Sequence, residues 1–211
     1  MTTYHALLGT ATALAITGVC GAAPSLGGSP ASTSSDAFAS GDWSVGVASY
    51  VYDSASEMPG GFSSLNEGEF LFMYLLDGDM SATSSIDMFS VGIESGVSVS
   101  SIGYSTSIVP DGFSGNDQQS PASFGFNANS AAVSYGFLDF ADPNSTLDPG
   151  EFSVLWFVAD AETYTDGPAT VTGGGVADTQ MVLTPTMIPT PAAFVAVLAG
   201  LPMAGGRRRR Q

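Results

Sequence analysis

Between residues 41 and 183, hydrophobic side chains recur mostly at every second position, which is the period of a β-strand. In the first such stretch, Trp43, Val45, Val47 and Val51 alternate with small or polar residues. Successive side chains of a strand point to opposite faces, so this alternation predicts a strand with one buried face. The helical period is almost absent, and the region therefore predicts an all-β domain.

A second stretch changes phase along its length. Val97 and Val99 alternate with polar residues, and Ile102 and Tyr104 resume the alternation one residue out of phase. This slip predicts a β-bulge near Ser100. Further strands are predicted at residues 86–93, 123–126, 131–137 and 176–183.

Asp-Gly pairs at positions 77–78, 111–112 and 166–167 are typical of turns and are expected to separate the strands. Eight or nine short strands without a convincing helix predict an antiparallel β-sandwich, with a jelly roll as the nearest alternative. The sandwich domain is expected to occupy residues 41–183.

One seven-residue pattern occurs twice. Residues 64–70 read Ser-Leu-Asn-Glu-Gly-Glu-Phe and residues 146–152 read Thr-Leu-Asp-Pro-Gly-Glu-Phe. Each copy leads into a continuous apolar run, 71–76 in the first and 154–159 in the second, which implies a strand buried on both faces, and its glycine permits a tight turn. The pattern predicts two equivalent turns, placed in the two sheets of the sandwich. The alternative is that Glu69 and Glu151 act as symmetric ligands.

The segments beside the domain differ from it in composition. Residues 24–40 are rich in Ser, Ala, Gly and Pro and predict a flexible linker, while residues 184–190 predict a short extended spacer. Residues 6–19 are apolar and precede small residues, so residues 1–23 predict a signal peptide cut after Ala22 or Ala23. The alternatives are a buried helix of a cytosolic protein and a lipoprotein signal that would acylate Cys20.

The basic residues of the chain are confined to one short cluster. The sequence contains four Lys and Arg in total. They follow the apolar run 192–206 and are Arg207, Arg208, Arg209 and Arg210. A basic cluster behind an apolar segment acts as a topological stop, because it resists transfer across a membrane. The run itself is short and contains Pro202, which favours a transient membrane helix over a permanent one.

The motif before this apolar run completes a three-part pattern. Pro189, Thr190 and Pro191 are followed by the apolar helix and the arginine cluster, and the order resembles the PEP-CTERM sorting signal of Gram-negative bacteria. Thr190 departs from the glutamate that is usual in that family. The resemblance implies an exported protein that an exosortase-type membrane enzyme cleaves near this motif. The repeated Leu-x-x-Gly-Glu pattern is also similar to turn-strand units of PEP-CTERM ectodomains. Without cleavage, the protein would remain a membrane-anchored ectodomain.

The charge of the chain excludes several functions. It has 20 Asp and Glu and a formal net charge of −16, and the acids all lie between Asp36 and Asp178. We expect no nucleic-acid partner, because phosphate neutralisation needs Lys or Arg, and anionic lipid headgroups are disfavoured for the same reason. An acidic shell stays hydrated in high salt and tolerates divalent cations and neutral or cationic polysaccharides as partners.

The residue inventory also limits catalysis. The only His is His5 and the only Cys is Cys20, and both fall in the predicted signal peptide. Histidine-based triads, His/Cys zinc sites and Schiff-base lysines therefore lack their residues in the predicted exported domain. Carboxylate chemistry remains, either as a glycosidase pair, for which Glu151 near Trp156 is the closest match, or as a calcium site.

Calcium is the cofactor that the acidic loops would suit, because hard cations take oxygen ligands. One loop gathers four such residues, which are Asp139, Asp142, Asn144 and Asp148. A second loop contains Asp77 and Asp79. Neither spacing is that of an EF-hand, and solvated turn residues are the plainer interpretation, so we expect no catalytic residue and no obligatory cofactor.

Two hypotheses of function follow. The first is a structural or adhesive protein of the cell surface or extracellular matrix. The second is a carbohydrate-binding module that stacks sugar rings on exposed tyrosines, for which the sequence offers Tyr50, Tyr52, Tyr104 and Tyr164. A coplanar exposed row of these rings would favour the second hypothesis, and scattered or buried rings would favour the first.

Overall fold

The computed structural model describes residues 24–127, 131–139 and 145–187 of the 211-residue chain. The described residues form ten strands and one short 3-10 helix, Gly115–Asp117. The strands are β1 (Ser32–Ser40), β2 (Trp43–Tyr52), β3 (Glu69–Gly78), β4 (Met88–Gly92), β5 (Ser98–Ser105), β6 (Ser123–Asn127), β7 (Ala132–Gly136), β8 (Phe152–Asp160), β9 (Thr163–Gly173) and β10 (Val176–Thr186).

The strands form two antiparallel sheets of five strands each. The first sheet has the order β1-β2-β3-β8-β5, and the second has the order β10-β9-β4-β7-β6. Their facing sides share one core of buried side chains, so the all-β prediction is confirmed and the two sheets have the arrangement of a β-sandwich. The predicted signal helix and C-terminal hydrophobic helix lie outside the described residues.

A second hydrophobic layer covers the outer face of the first sheet. Because side chains alternate along each strand, Phe72 and Tyr74 of β3 point into the core between the sheets, while Leu71, Met73 and Leu75 point outward. Connecting segments cover this outer face with apolar side chains, namely Leu26, Met58, Phe62, Leu65, Ile108 and Phe113. The prediction that residues 71–76 are buried on both faces is therefore confirmed.

Hydroxyl groups of two buried tyrosines join the sheets across the core. Tyr74 of β3 donates a hydrogen bond to the carbonyl oxygen of Leu183 on β10 at 2.7 Å. Tyr135 of β7 donates one to the carbonyl oxygen of Trp156 on β8 at 2.6 Å. These bonds satisfy the hydroxyls where water is excluded, since a buried polar group without a partner destabilises the fold.

The linker prediction for residues 24–40 is wrong over its second half. Residues 32–40 are β1, which pairs with β2 along its whole length, and Phe38 lies fully in the core. The small polar residues of β1 resemble a linker because all of its side chains except Phe38 are at least partly exposed. The spacer predicted at 184–190 likewise begins inside β10, which ends at Thr186. The predicted domain boundaries at 41 and 183 are therefore too narrow.

A predicted bulge and a predicted turn have opposite outcomes. The phase slip predicted near Ser100 is confirmed, because the register of β5 against β8 shifts between Val99 and Ser101. The pair Asp166-Gly167, predicted as a turn, instead lies inside β9 and pairs with Leu183 and Val182 of β10. A Cβ on Gly167 would come within 2.2 Å of the Thr184 hydroxyl oxygen, so the glycine serves a close approach of strands.

Candidate functional site

The repeated seven-residue pattern builds the same turn twice. Gly68 and Gly150 both have φ of 87°, in the region that favours glycine. In the first turn a carboxylate oxygen of Glu69 accepts the backbone N–H of Asn66 at 2.9 Å, and in the second Glu151 accepts that of Asp148 at 2.8 Å. Each glutamate thus stabilises the turn from which it comes.

The location of the two turns differs from the prediction. Both lead into strands of the first sheet, β3 and β8, and these are antiparallel neighbours rather than members of different sheets. Antiparallel strands start at opposite ends, so the two turns are separated by the length of a ten-residue strand, about 30 Å. Glu69 and Glu151 therefore cannot ligate one ion together.

Five carboxylates collect around the second turn, where β3 ends and β8 begins. They are Asp77, Asp79, Asp117, Asp148 and Glu151. Two backbone hydrogen bonds join the end of β3 to the second turn. The N–H of Gly78 donates to the carbonyl oxygen of Glu151, and the N–H of Gly150 donates to the carbonyl oxygen of Gly78, both at 2.9 Å. A Cβ on Gly78 would lie 2.7 Å from the carbonyl oxygen of Asp148, so only glycine fits there.

Burial and mutual repulsion change the acidity of this corner. Partial desolvation, followed by the charge of Asp79, raises the pKa of Asp77, although the Asp77 side chain is still exposed. Burial also raises the pKa of Glu151; the hydrogen bond from the Asp148 N–H opposes this effect in part, and the charges of Asp148 and Asp117 add to it. Burial and neighbouring negative charges both disfavour the ionised form of a carboxyl group. The pKa of Asp79 is lowered, because its carboxylate accepts the N–H of Ser81 and the hydroxyls of Ser44 and Ser81.

We predict that the protein becomes more stable as the pH falls from 7 towards the ordinary pKa range of Asp and Glu, about 4. Asp77 and Glu151 bind protons more tightly in the folded than in the unfolded state, so stability increases as the pH falls through their raised pKa values. The substitution Glu151→Gln should flatten this slope in thermal melts recorded from pH 7 down to about 4. Glu69→Gln makes the same change in the other turn and is the matched variant for any effect of the substitution on the turn's own hydrogen bond. Equal slopes in the parent chain and Glu151→Gln would contradict the assignment.

The predicted calcium ligands are partly inside the described residues. Asp142 and Asn144 lie outside them. The carboxylate of Asp148 accepts the hydroxyls of Ser85 at 2.5 Å and Thr146 at 2.9 Å, and the backbone N–H of Asp139 donates to the Ser145 hydroxyl oxygen at 2.6 Å. Within the part of the chain that the structure describes, no three His, Cys, Asp or Glu side chains are arranged to hold a metal ion. Calcium binding stays a prediction.

The aromatic partner considered for a glycosidase pair is used in packing. Trp156 meets Phe62 edge to face, with ring centroids 5.3 Å apart, and its ring covers Gly103, where a Cβ would come within 2.5 Å. Tryptophan packed in this way is a structural element of the outer layer of the first sheet. Neither of these contacts brings Glu151 to the Trp156 ring.

The four tyrosines considered for sugar stacking do not form a row. Tyr50 and Tyr52 are buried, and their hydroxyls donate to the carbonyl oxygens of Pro24 and Gly27. Burial raises the pKa of Tyr52 to about 12. Tyr164 is half-buried against Phe70, and Tyr104 is partly exposed against Phe124 with the two ring planes at 74°. Scattered and buried rings favour the structural hypothesis over sugar stacking.

The remaining predicted positions lie outside the described residues. They are the cleavage residues Ala22 and Ala23, the motif Pro189, Thr190 and Pro191, and the cluster Arg207, Arg208, Arg209 and Arg210. Within residues 24–127, 131–139 and 145–187, the structure contains no helix of the length and hydrophobicity that a membrane crossing requires.

Comparison with known proteins leaves the fold and the sequence as the basis for any function. No protein-family model matches the chain, and no curated protein shows significant similarity to it.

Proposed function

We propose that this chain is an exported structural or adhesive protein of the cell surface or extracellular matrix, sorted by a PEP-CTERM-like signal. The observation that carries the proposal is the segregation of charge: all four basic residues lie at positions 207–210, and the sandwich is built without Lys or Arg. An anionic domain that is followed by a basic topological stop suits a protein whose domain crosses the membrane while its arginine cluster remains on the cytoplasmic side.

The architecture of the domain is compatible with this role. The described residues contain no Cys, so disulfides do not stabilise them, and two hydrophobic layers bury the first sheet on both faces instead. The acidic surface gives a hydrated particle that resists nonspecific association. Adhesion would then depend on neutral surface areas or on bridging cations.

Processing is the most direct test of this proposal. In a Gram-negative host with an exosortase, mass spectrometry of the surface-exposed form should show a chain that starts after Ala22 or Ala23 and ends near Pro189 to Pro191. Replacing the four arginines at 207–210 with glutamine should abolish this sorting, because the topological stop is lost. Glutamine at four acidic surface positions, Asp36, Asp42, Glu57 and Glu67, is the control and should leave sorting intact. Surface protein with intact Met1 and Gln211 would contradict the proposal.

Carbohydrate binding is the alternative function, and it has a separate test. The purified protein would be incubated with insoluble neutral polysaccharides, and binding would be measured by co-sedimentation. Retention that Tyr104→Ala removes would favour a binding module over a purely structural protein, because a lost stacking platform weakens sugar binding.

A further inference from the structure

The two sheets have four edge strands, and three of them carry features that discourage pairing with another chain. β1 has Asp36 at its centre, β10 contains Asp178 and Pro185, and β5 has the bulge at Val99. Charges, prolines, bulges and short length are among the ways in which natural sheets protect their edges. β6 is short, but its sequence Ser-Phe-Gly-Phe-Asn has no charge, no proline and no bulge.

β6 also carries two aromatic side chains that point to the inner side of its sheet and are still exposed to solvent. Phe124 and Phe126 pair with Tyr135 and Val133, which are both completely buried, so the two phenylalanines point to the same inner side of the second sheet. Their side chains are nevertheless 46% and 38% exposed. They lie at the edge of the sandwich where β6 faces β5, and solvent reaches both side chains there.

The opposite sheet completes this open edge with one more ring. Tyr104 of β5 meets Phe124 edge to face with centroids 5.9 Å apart, and it too is more than one-third exposed. The other edge of the sandwich is closed by comparison. There Phe38 of β1 is fully buried, and the N–H of Ala39 donates to the carboxylate of Asp178 on β10 at 3.1 Å. Three exposed aromatic rings that lie together at one edge form an apolar area, and such an area is typical of an interaction surface.

We propose that β6 pairs antiparallel with β6 of a second copy of this chain, about a two-fold axis at Gly125. A two-fold interface places residue i opposite residue j of the second copy and j opposite i, so the symmetric sequence Phe-Gly-Phe brings like side chains together about this axis. In this register Phe124 lies opposite Phe126 of the second copy, and Phe126 lies opposite Phe124 of the second copy. Opposite residues share a face, so four phenylalanine rings form one apolar row that covers the open edges of both sandwiches.

The distribution of charge selects a second copy over a charged partner. Neither β5 nor β6 contains a charged residue, whereas the whole chain carries a net charge of −16. Two copies repel each other most weakly when they meet through this uncharged edge. Salt screens the remaining repulsion, so the association tightens as ionic strength rises. This inference does not depend on export or sorting.

A cysteine at the two-fold axis tests the register. In antiparallel pairs, directly opposite Cα atoms are about 4.5–5.5 Å apart, within the range of a disulfide. Gly125 accepts a side chain, since no atom lies within 4 Å of a Cβ built on it. In the full-length Cys20→Ser chain, kept in non-ionic detergent that covers its apolar segments, Gly125→Cys should form a covalent dimer on mild oxidation.

Ser123→Cys in the same Cys20→Ser chain is the matched control. Ser123 would lie opposite Asn127 of the second copy, which separates the two introduced thiols by about four strand residues, or roughly 13 Å. We expect no disulfide in this control. Failure of Gly125→Cys to cross-link would overturn the proposal, and equal cross-linking of both variants would do so as well, because it would indicate random collision.

Sedimentation equilibrium tests the aromatic contribution. The double substitution Phe124→Ser and Phe126→Ser should raise the dimer dissociation constant at least about tenfold, since it removes four rings from the interface. Val176→Ser with Met181→Ser removes similarly exposed apolar side chains from β10 and should leave the constant unchanged. Equal effects of the two double variants, or a monomer at both low and high salt, would contradict pairing through β6.

Discussion

Phe157→Ala is expected to lower the free energy of unfolding by about 3–5 kcal/mol, the range for removing a buried phenylalanine. Phe157 is fully buried between the sheets and stacks on two neighbouring rings of β3, with centroids 5.1 Å from Phe72 and 5.9 Å from Tyr74. The stacked rings cannot collapse into the space without moving the strand that carries them, so a cavity remains. Urea unfolding followed by tryptophan fluorescence measures the loss.

Phe62→Ala is the matched control for this prediction. Phe62 is half-buried and lies on the outer layer of the first sheet, where it contacts Trp156. Its removal should cost less than half as much, because the segment that carries it can move towards the sheet. Equal losses for Phe62→Ala and Phe157→Ala would show that the core between the sheets is not the main source of stability.

The sequence predicted those strands whose hydrophobic pattern is local. β2 and β3 were recognisable because their apolar residues alternate or run continuously, as burial on one or both faces requires. β1 was not, because its stability comes from pairing with β2 and from one side chain, Phe38, rather than from its own composition. A strand that is held by its neighbour has no periodic signal of its own.

The sequence pattern does not predict β9, for a different reason. It contains Gly167 and Pro168, which normally indicate a turn. Proline lacks the N–H that a strand donates to its neighbour, but the pairing of β9 with β4 ends at Ala169, next to Pro168. The ring of Pro168 then packs over Gly92, where a Cβ would be 3.1 Å from it. Only the three-dimensional pairing shows that proline is tolerated here.

The candidate site, like the strands, can be predicted from the sequence only where its interactions are local. The turn at Gly150 and Glu151 can be predicted from the sequence because its interactions are local. Glycine allows the turn, and the Glu151 carboxylate accepts the backbone N–H of Asp148, three residues earlier. The sequence does not reveal that β3 and β8 are neighbours. Nor does it reveal that Asp117, more than thirty positions away, adds its charge to the field at Glu151. Contacts of this kind depend on sheet topology.

Gly28→Ala tests whether the segment before β1 is a docked part of the fold, and we expect it to destabilise the protein by at least about 3 kcal/mol. Gly28 has φ of +68°, and a Cβ there would lie 2.2 Å from the backbone oxygen of Glu57. That oxygen accepts the N–H of Ser29 at 2.9 Å, so the clash falls on the bond that fastens the segment. The atoms that the added Cβ would meet are all backbone atoms, so a side-chain movement cannot relieve the clash.

Gly27→Ala separates the clash from backbone strain. Gly27 has φ of +87°, but no atom lies within 4 Å of a Cβ built on it, so its substitution costs only the left-handed conformation, about 1–2 kcal/mol. Urea unfolding compares the two variants, and hydrogen exchange at the amide of Ser29 should accelerate far more in Gly28→Ala. Equal effects of the two substitutions would mean that strain alone matters, and that the approach of Gly28 to Glu57 does not hold this segment on the sheet.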